Sequence, residues 1–87
     1  MNNDITILKK RLIYRSQYRG TKEMDKLIGS FVEINIGKLD NNELNELEIF
    51  LNIDDETLYK FYNNQLDYIE GVNEVLLRLF KTFVYKK

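Results

Sequence analysis

The fold class can be read from residues 72–83, which have the sequence VNEVLLRLFKTF. Apolar side chains recur there three and four positions apart, at Val72, Val75, Leu76, Leu79, Phe80 and Phe83. This spacing matches the 3.6-residue period of an α-helix and places these side chains on one face. The pattern predicts an amphipathic helix that starts near Gly71 and runs to the basic end at Lys86 and Lys87, where positive charge suits the helix dipole.

Four further segments show the same helical period. The clearest covers residues 24–32, MDKLIGSFV, with apolar side chains at offsets 0, 3, 4, 7 and 8. An earlier helix is predicted from Asp4 to Tyr18. Asp40 followed by Glu43 is typical of a capping box that starts a third helix, and the acids at 54–56 suit the first turn of a fourth. The phenylalanines are predicted to form the core, at Phe31, Phe50, Phe61, Phe80 and Phe83.

Length and composition agree with a single small helical domain. The chain has 87 residues, no proline and four glycines, which leaves few breaks in the helical pattern. We therefore predict one domain over residues 1–87, all-α, folded as a compact five-helix antiparallel bundle with short connections. A monomer of this length is expected to have a radius of gyration of about 12 Å.

The residue inventory limits the chemistry that this chain can perform. It contains no cysteine, which excludes disulfides, thiolate metal sites and cysteine nucleophiles. It also contains no histidine, which removes the commonest general base and the commonest metal ligand. We therefore expect a binding protein, not an enzyme, with no metal of its own.

Charge is distributed unevenly along the chain, although the formal net charge is −1. The segment from Lys9 to Lys22 holds six basic residues and no acid, while Asp40 to Glu56 holds seven acids and no base. The basic segment keeps an alternative function open, that of a small helical nucleic-acid- or anion-binding protein. With neither a secretory leader pattern nor an apolar run of about 18 residues, the expected location is the cytoplasm.

The junction of the first two helices carries the most specific signal, Arg19-Gly20-Thr21-Lys22-Glu23. Glycine there permits a backbone conformation that a Cβ would block. If Gly20 is the N-cap of the second helix, Glu23 is its third residue and can fold back towards the exposed amides. Arg19 is expected to be an exposed planar donor fork, suited to carboxylate, phosphate or carbonyl groups on a partner. Glu23 and Asp25 are two positions apart and are not expected to form a pair.

Residues 11–25, RLIYRSQYRGTKEMD, resemble the signature of the FAD assembly factors of succinate dehydrogenase, the flavinator family. That signature is an Arg-Leu pair, an aromatic residue, a small residue and then Arg-Gly-x-x-Glu-x-Asp. Residues 39–43, 51–55 and 58–61 are similar to a second block typical of the family, so the resemblance extends from about Leu8 to Phe83. Two departures are Thr21 where the family commonly has Met, and Phe61 where it commonly has Trp.

The resemblance implies a role in attaching FAD covalently to the flavoprotein subunit of succinate dehydrogenase, and in some bacteria of fumarate reductase. It implies that the Arg-Gly-x-x-Glu surface docks near the isoalloxazine, while the bond from a partner histidine to the flavin methyl carbon is made by the partner. It also implies a bacterial cytoplasmic protein, expected to be a monomer that carries no covalent flavin of its own. The candidate partner-binding residues are Arg11, Tyr14, Arg19, Gly20, Glu23 and Asp25.

Two stability expectations and one further alternative follow from the same residues. Replacing an exposed Arg19 or Glu23 with alanine is expected to change stability by no more than about 1 kcal/mol. Leu27→Ala is expected to lose about 2 to 5 kcal/mol because it leaves a buried cavity. A third interpretation, an enzyme that uses Arg19 and Glu23, requires a pocket and a carboxylate whose pKa is strongly perturbed.

Overall fold

The computed structural model describes residues 2–85, with side chains from Asp4 onward. Within this range the chain forms five α-helices and one 3-10 turn, and no strand. The all-α prediction is therefore confirmed. The elements are α1 (Asn2–Gln17), α2 (Lys22–Asn35), the 3-10 turn (Ile36–Lys38), α3 (Asn41–Leu51), α4 (Asp55–Tyr62) and α5 (Glu74–Thr82).

Side-chain caps fix where the helices begin. Asp40 and Glu43 form the predicted capping box of α3, with both backbone-to-carboxylate hydrogen bonds at 2.9 Å. Asp54 accepts from the Thr57 backbone N–H at 3.1 Å at the start of α4, and Asn73 caps α5. These short polar side chains satisfy amides that have no partner inside the helix.

The N-cap of α2 is Thr21 and not Gly20, so the predicted cap was wrong by one residue. The Thr21 hydroxyl accepts a hydrogen bond from the Met24 backbone N–H at 3.2 Å. Thr21 has extended backbone angles that suit a cap, whereas Gly20 has a φ of +129°. Threonine supplies the oxygen that glycine lacks, so the helix begins one position later and Glu23 is its second residue.

The core is built around phenylalanine rings from three helices. Phe31 of α2, Phe50 of α3 and Phe80 of α5 are fully buried, with ring centroids 5.1 to 5.5 Å apart. Phe61 is 2% exposed and stacks on Phe80, while the partly buried Phe83 lies edge-on to Phe31 at 5.6 Å. The prediction of an aromatic core is confirmed, and such tilted and edge-on pairs are favoured by the ring quadrupole.

Helix α1 packs on α2 and α3, and α5 packs on α3 and α4. The α1–α2 approach is close at Gly29, where an added Cβ would lie 3.1 Å from Gln17 Cγ. The radius of gyration is 12.4 Å, which agrees with the expected value. No helix among residues 2–85 is both long enough and apolar enough to cross a membrane.

Helix α5 differs from its prediction in length and in its buried face. It ends at Thr82, because the Phe83 backbone turns extended, its carbonyl accepts the Tyr62 hydroxyl, and its ring packs on Phe31. Val75 and Leu79 are 56% and 39% exposed, whereas Leu77, outside the predicted stripe, is 4% exposed. Lys86 and Lys87 lie outside the described residues.

The connection between α4 and α5 is longer than the short loop that was predicted. It covers residues 63–73 and includes two positive φ angles, at Asn64 and Gly71. Ile69 and Val72 are buried in the core, so this segment is held by its own apolar side chains. The start of α5 is therefore set by the Asn73 cap and not by Gly71.

Candidate functional site

An exposed stripe on α1 carries two of the candidate residues. Ile7, Arg11 and Tyr14 follow at steps of four and three on one face of α1, and Tyr18 continues this spacing one residue past the end of the helix. Tyr14 and Tyr18 are 62% and 67% exposed, and their ring centroids are 4.5 Å apart. This α1 stripe (Ile7, Arg11, Tyr14 and Tyr18) combines apolar area with a cation, and exposed tyrosine is enriched in protein interfaces.

The α1–α2 turn positions Gly20 and Glu23. Gly20 is exposed, with a φ of +129° and no atom within 4 Å of the place where a Cβ would stand. Glycine is thus required there by the backbone conformation and not by a steric clash. Glu23 is exposed on the first turn of α2, where the helix dipole favours a carboxylate, and it makes no ion pair within residues 4–85.

Arg19 is not exposed, so the expectation of a free donor fork was wrong. Its side chain is 9% exposed, and its Nε donates to Asp55 Oδ1 at 2.7 Å. Its Nη1 and Nη2 donate to the carbonyls of Leu51 and Ile53. Arg19→Ala is therefore expected to lower stability and not to leave it nearly unchanged, because the substitution removes a paired, mostly buried guanidinium.

Asp25 is also engaged within the molecule. Its carboxylate accepts a hydrogen bond from the Arg19 backbone N–H. Glu23 and Asp25 are two positions apart on α2, and helix geometry turns such residues to different faces. Asp25 therefore closes the turn around Gly20 from the α2 side.

Some of the basic side chains between Lys9 and Lys22, which were proposed to form a basic face, are already paired within the molecule. Besides Arg19, Arg15 is engaged: its guanidinium lies 3.6 Å from Glu48 and donates to Asn52. Two of the six basic side chains of this segment are thus paired with acidic or polar groups of α3 and α4. A nucleic-acid surface depends on cations free to meet phosphates, so this pairing weakens the alternative.

Arg19 and Glu23 line two different grooves, which does not favour an enzyme that uses both. The first groove, about 520 Å³, lies between the C-terminal end of α1 and the α3–α4 turn. Its walls include Tyr14, Tyr18, Arg19 and Asn52. The second, about 780 Å³, lies between the start of α2 and the tyrosines of α4 and the C-terminal segment, with Glu23, Tyr59, Tyr62 and Tyr85 in its walls.

Asp54 lies in the wall of the first groove, at the start of α4. Hydrogen bonds from the Thr57 side chain and backbone N–H lower the pKa of this carboxyl below its ordinary value. The nearby positive charge of Arg19 lowers the pKa in the same direction. Asp54 therefore stays ionised at lower pH than an ordinary aspartate does.

Metal binding finds no support among residues 4–85, where no three acidic side chains converge on a common point. The expectation that this chain holds neither metal nor flavin remains a prediction. The two grooves are open depressions and not enclosed cavities.

Sequence reasoning missed two residues of this region, for different reasons. Tyr18 lies four positions after Tyr14, and this helical spacing could have identified it as a member of the same stripe. Asp55 was assigned only to a helix start. Its contact with Arg19 joins residues 36 positions apart, and no local pattern in the sequence encodes that pair.

Comparison with known proteins gives one consistent result. A family model described as the flavinator of succinate dehydrogenase matches residues 10–84. Succinate dehydrogenase assembly factor 2, mitochondrial, of Dictyostelium discoideum is 32% identical over 82 residues, covering 91% of this chain and 58% of the relative. The protein of the same name from Arabidopsis thaliana is 36% identical over 63 residues, covering 72% of this chain and 34% of the relative. No solved structure matches.

A bacterial relative is matched over more of its own length. The FAD assembly factor SdhE of Acetobacter pasteurianus is 33% identical over 76 residues, which covers 87% of this chain and 70% of the relative. The matched region 10–84 includes the end of α1 with its tyrosines, the α1–α2 turn and all later helices. These relatives are named as assembly factors and not as enzymes. The resemblance seen in residues 11–25 is confirmed, and the chain belongs to the family of the succinate dehydrogenase flavinators.

Proposed function

We propose that this chain is an assembly factor that binds the flavoprotein subunit of succinate dehydrogenase and promotes the covalent attachment of FAD to it. The observation that carries the proposal is the family match over residues 10–84, which includes the complete Arg-Gly-x-x-Glu-x-Asp stretch in its folded setting. The proposal extends to the flavoprotein of fumarate reductase, which the resemblance of residues 11–25 also implies. The bacterial relative favours a bacterial cytoplasm as the location.

The proposed docking surface combines the α1 stripe with the exposed turn at Gly20 and Glu23. Arg11 offers a cation and Glu23 an anion, and neither is paired within residues 4–85. Tyr14 and Tyr18 offer large amphipathic rings that lose little conformational entropy on binding. Together they give apolar area flanked by opposite charges, which is the arrangement of a specific protein interface.

The inventory determines how such a factor acts. The covalent flavin is bonded to the flavoprotein, so the nucleophile is a group of that protein, and this chain, which has neither histidine nor cysteine, acts by binding. The chain contributes by binding most tightly to the flavoprotein conformation in which nucleophile and flavin are held at reactive distance. Each tenfold preference for that conformation is equivalent to about 1.4 kcal/mol, and positioning of this kind lowers a barrier without any new chemistry.

The test is covalent flavin on the flavoprotein, read as in-gel fluorescence in cells that lack their own factor and receive variants of this chain. Arg11→Ala, Tyr14→Ala and Glu23→Ala are expected to reduce the fluorescence, because central interface side chains can contribute 2 kcal/mol or more, roughly thirtyfold in affinity. Their folding is expected to be unchanged, since all three side chains are exposed.

The chain offers a matched control for each variant. Arg78, Tyr68 and Glu74 are also exposed, and Glu74 occupies the first turn of α5 as Glu23 does that of α2. Alanine at these three positions is expected to leave the flavin fluorescence at the level of the unsubstituted chain. Equal fluorescence in both sets would contradict the site, and no fluorescence with the unsubstituted chain would contradict the function.

A further inference from the structure

Arg19 joins the α1–α2 turn to three other parts of the molecule. Its guanidinium binds the carboxylate of Asp55, the first residue of α4, and the carbonyls of Leu51 and Ile53 at the end of α3 and just after it. Its backbone N–H binds Asp25 of α2. The last carbonyls of a helix have no partner within the helix, so Arg19 also caps the C-terminal end of α3.

These contacts leave Arg19 poorly suited to grasp a partner directly. Each of its three guanidinium nitrogens already has an intramolecular acceptor, and the side chain is 9% exposed. A partner group that took over the planar fork would have to break a charge-assisted pair and strip two backbone carbonyls of their donors. The exposed cations of the segment, such as Arg11, carry no such cost.

The anchored turn is itself part of an exposed surface. Asn52, Ile53 and Asp54 lie in the wall of the 520 Å³ groove, opposite Tyr14 and Tyr18 of the α1 stripe. Arg19 lies in the same groove and connects its two sides. Among the described hydrogen bonds, only those of Arg19 connect the α3–α4 turn to residues 18–20. Arg15 makes a separate hydrogen bond to Asn52.

We propose that Arg19 acts in partner binding as a positioning residue: through Asp55 and the carbonyls of Leu51 and Ile53 it holds the α3–α4 turn against Tyr14 and Tyr18, and the flavoprotein meets the assembled groove and not the guanidinium. The proposal rests on the proposed function. It makes Asp55, which no sequence pattern selected, as important for binding as Arg19 itself.

The first test is a double-mutant cycle on affinity for the flavoprotein subunit carrying noncovalent FAD. Arg19→Ala and Asp55→Ala are each expected to weaken binding by about tenfold or more. The double variant is expected to be no weaker than Arg19→Ala alone, because the Asp55 carboxylate acts through the Arg19 guanidinium. Glu23→Ala combined with Asp55→Ala serves as the additive control, because Glu23 lines the other groove. Unchanged binding by Asp55→Ala, or additive losses for Arg19 and Asp55, would overturn the proposal.

The second test reads the turn itself, in the free protein, by amide hydrogen exchange. The amides of Asn52 and Ile53 donate to carbonyls at the end of α3, and the Leu77 amide donates to Asn73 in the distant first turn of α5. Arg19→Ala and Asp55→Ala are expected to accelerate exchange at Asn52 and Ile53 by about tenfold relative to Leu77, while Tyr14→Ala leaves the ratio unchanged. An unchanged ratio in all variants would overturn the proposal.

A milder variant keeps both tests decisive if Arg19→Ala fails to fold. Arg19→Lys retains the charge, but one ammonium cannot reach three acceptors in a plane, so it is expected to weaken binding and accelerate exchange in the same direction. A failure of the proposed function can be distinguished from a failure of the role proposed for Arg19. Faster exchange at the turn with no binding by the unsubstituted chain contradicts the proposed function, whereas normal binding with an unaffected turn contradicts only the role of Arg19.

Discussion

At the scale of single residues, Arg19 and Gly20 are neighbours that the fold requires for different reasons. Arg19 is held by side-chain and backbone partners from α2, α3 and α4. A Cβ added at Gly20 would have no neighbour within 4 Å, so glycine is required there only because of its φ of +129°. One residue is thus constrained by tertiary contacts and the next by its own backbone, and the two constraints can be tested separately.

Gly20→Ala is expected to destabilise the protein by roughly 1 to 3 kcal/mol, because a Cβ strains a backbone with positive φ even where space is open. Gly37→Ala is the matched control: it also has open space around its virtual Cβ but no positive φ, so it is expected to be neutral or slightly stabilising. Urea denaturation midpoints of the two variants measure the difference. Equal midpoints would show that the turn relaxes without cost.

At the scale of the elements, the helices begin where short polar side chains meet their first amides. Thr21, Asp40, Asp54 and Asn73 each accept from backbone N–H groups of the turn that follows. Because these bonds span only two or three residues, they are set by local sequence. The cap of α4 also carries a titratable group, so its contribution to stability depends on pH.

The stability contribution of Asp54 is expected to be present at neutral pH and lost in acid. The bonds from Thr57 lower its pKa in the folded state, so the contribution is complete above the pKa of the unfolded chain and disappears as pH falls through the folded pKa. The difference in unfolding free energy between the parent and Asp54→Ala should therefore shrink on acidification. Urea titrations at a series of pH values measure it.

Thr57→Val provides the control for that pH dependence. It removes the hydroxyl that donates to the Asp54 carboxylate at 2.8 Å but keeps the backbone bond. The pKa of Asp54, followed by carboxyl NMR chemical shifts, is expected to rise towards its ordinary value. An unchanged pKa would mean that the side-chain bond is not the main cause of the shift.

At the scale of the whole molecule, stability rests on one aromatic cluster that joins α2, α3 and α5. Phe31 is fully buried and contacts the rings of Phe50, Phe80 and Phe83. Its ring therefore takes part in two interhelical contacts and in one contact with the segment that follows α5. A chain of this size has a small core, so the loss of one such ring is expected to affect every helix together.

Phe31→Ala is expected to lower the free energy of unfolding by roughly 3 to 5 kcal/mol, through lost burial and the cavity that remains. Tyr68→Ala, which removes a ring that is 68% exposed, is the control and should change stability by no more than about 0.5 kcal/mol. Chemical denaturation at low temperature, followed by helical circular dichroism, measures both. A loss for Phe31→Ala no larger than that of the control would contradict a single cooperative core.

The sequence by itself determined the helical class, the order of five helices, the capping box of α3, the acidic start of α4, and the membership suggested by residues 11–25. These features depend on periodicity and bonds within a few residues, which a linear pattern records. The N-cap of α2 was predicted one residue too early, because glycine and threonine both occur as N-cap residues and only the backbone angles distinguish the two positions.

Only the tertiary structure decided the state of Arg19 and the inward face of α5. The partners of Arg19 lie 32 to 36 positions away, so a sequence motif cannot tell a buried anchor from an exposed fork. Helix α5 offers apolar residues around more of its circumference than its neighbours can cover. Its packing on α3 and α4 selected Leu77 and left Val75 and Leu79 exposed, because burial is decided by the surfaces that meet and not by the hydrophobicity of one helix alone.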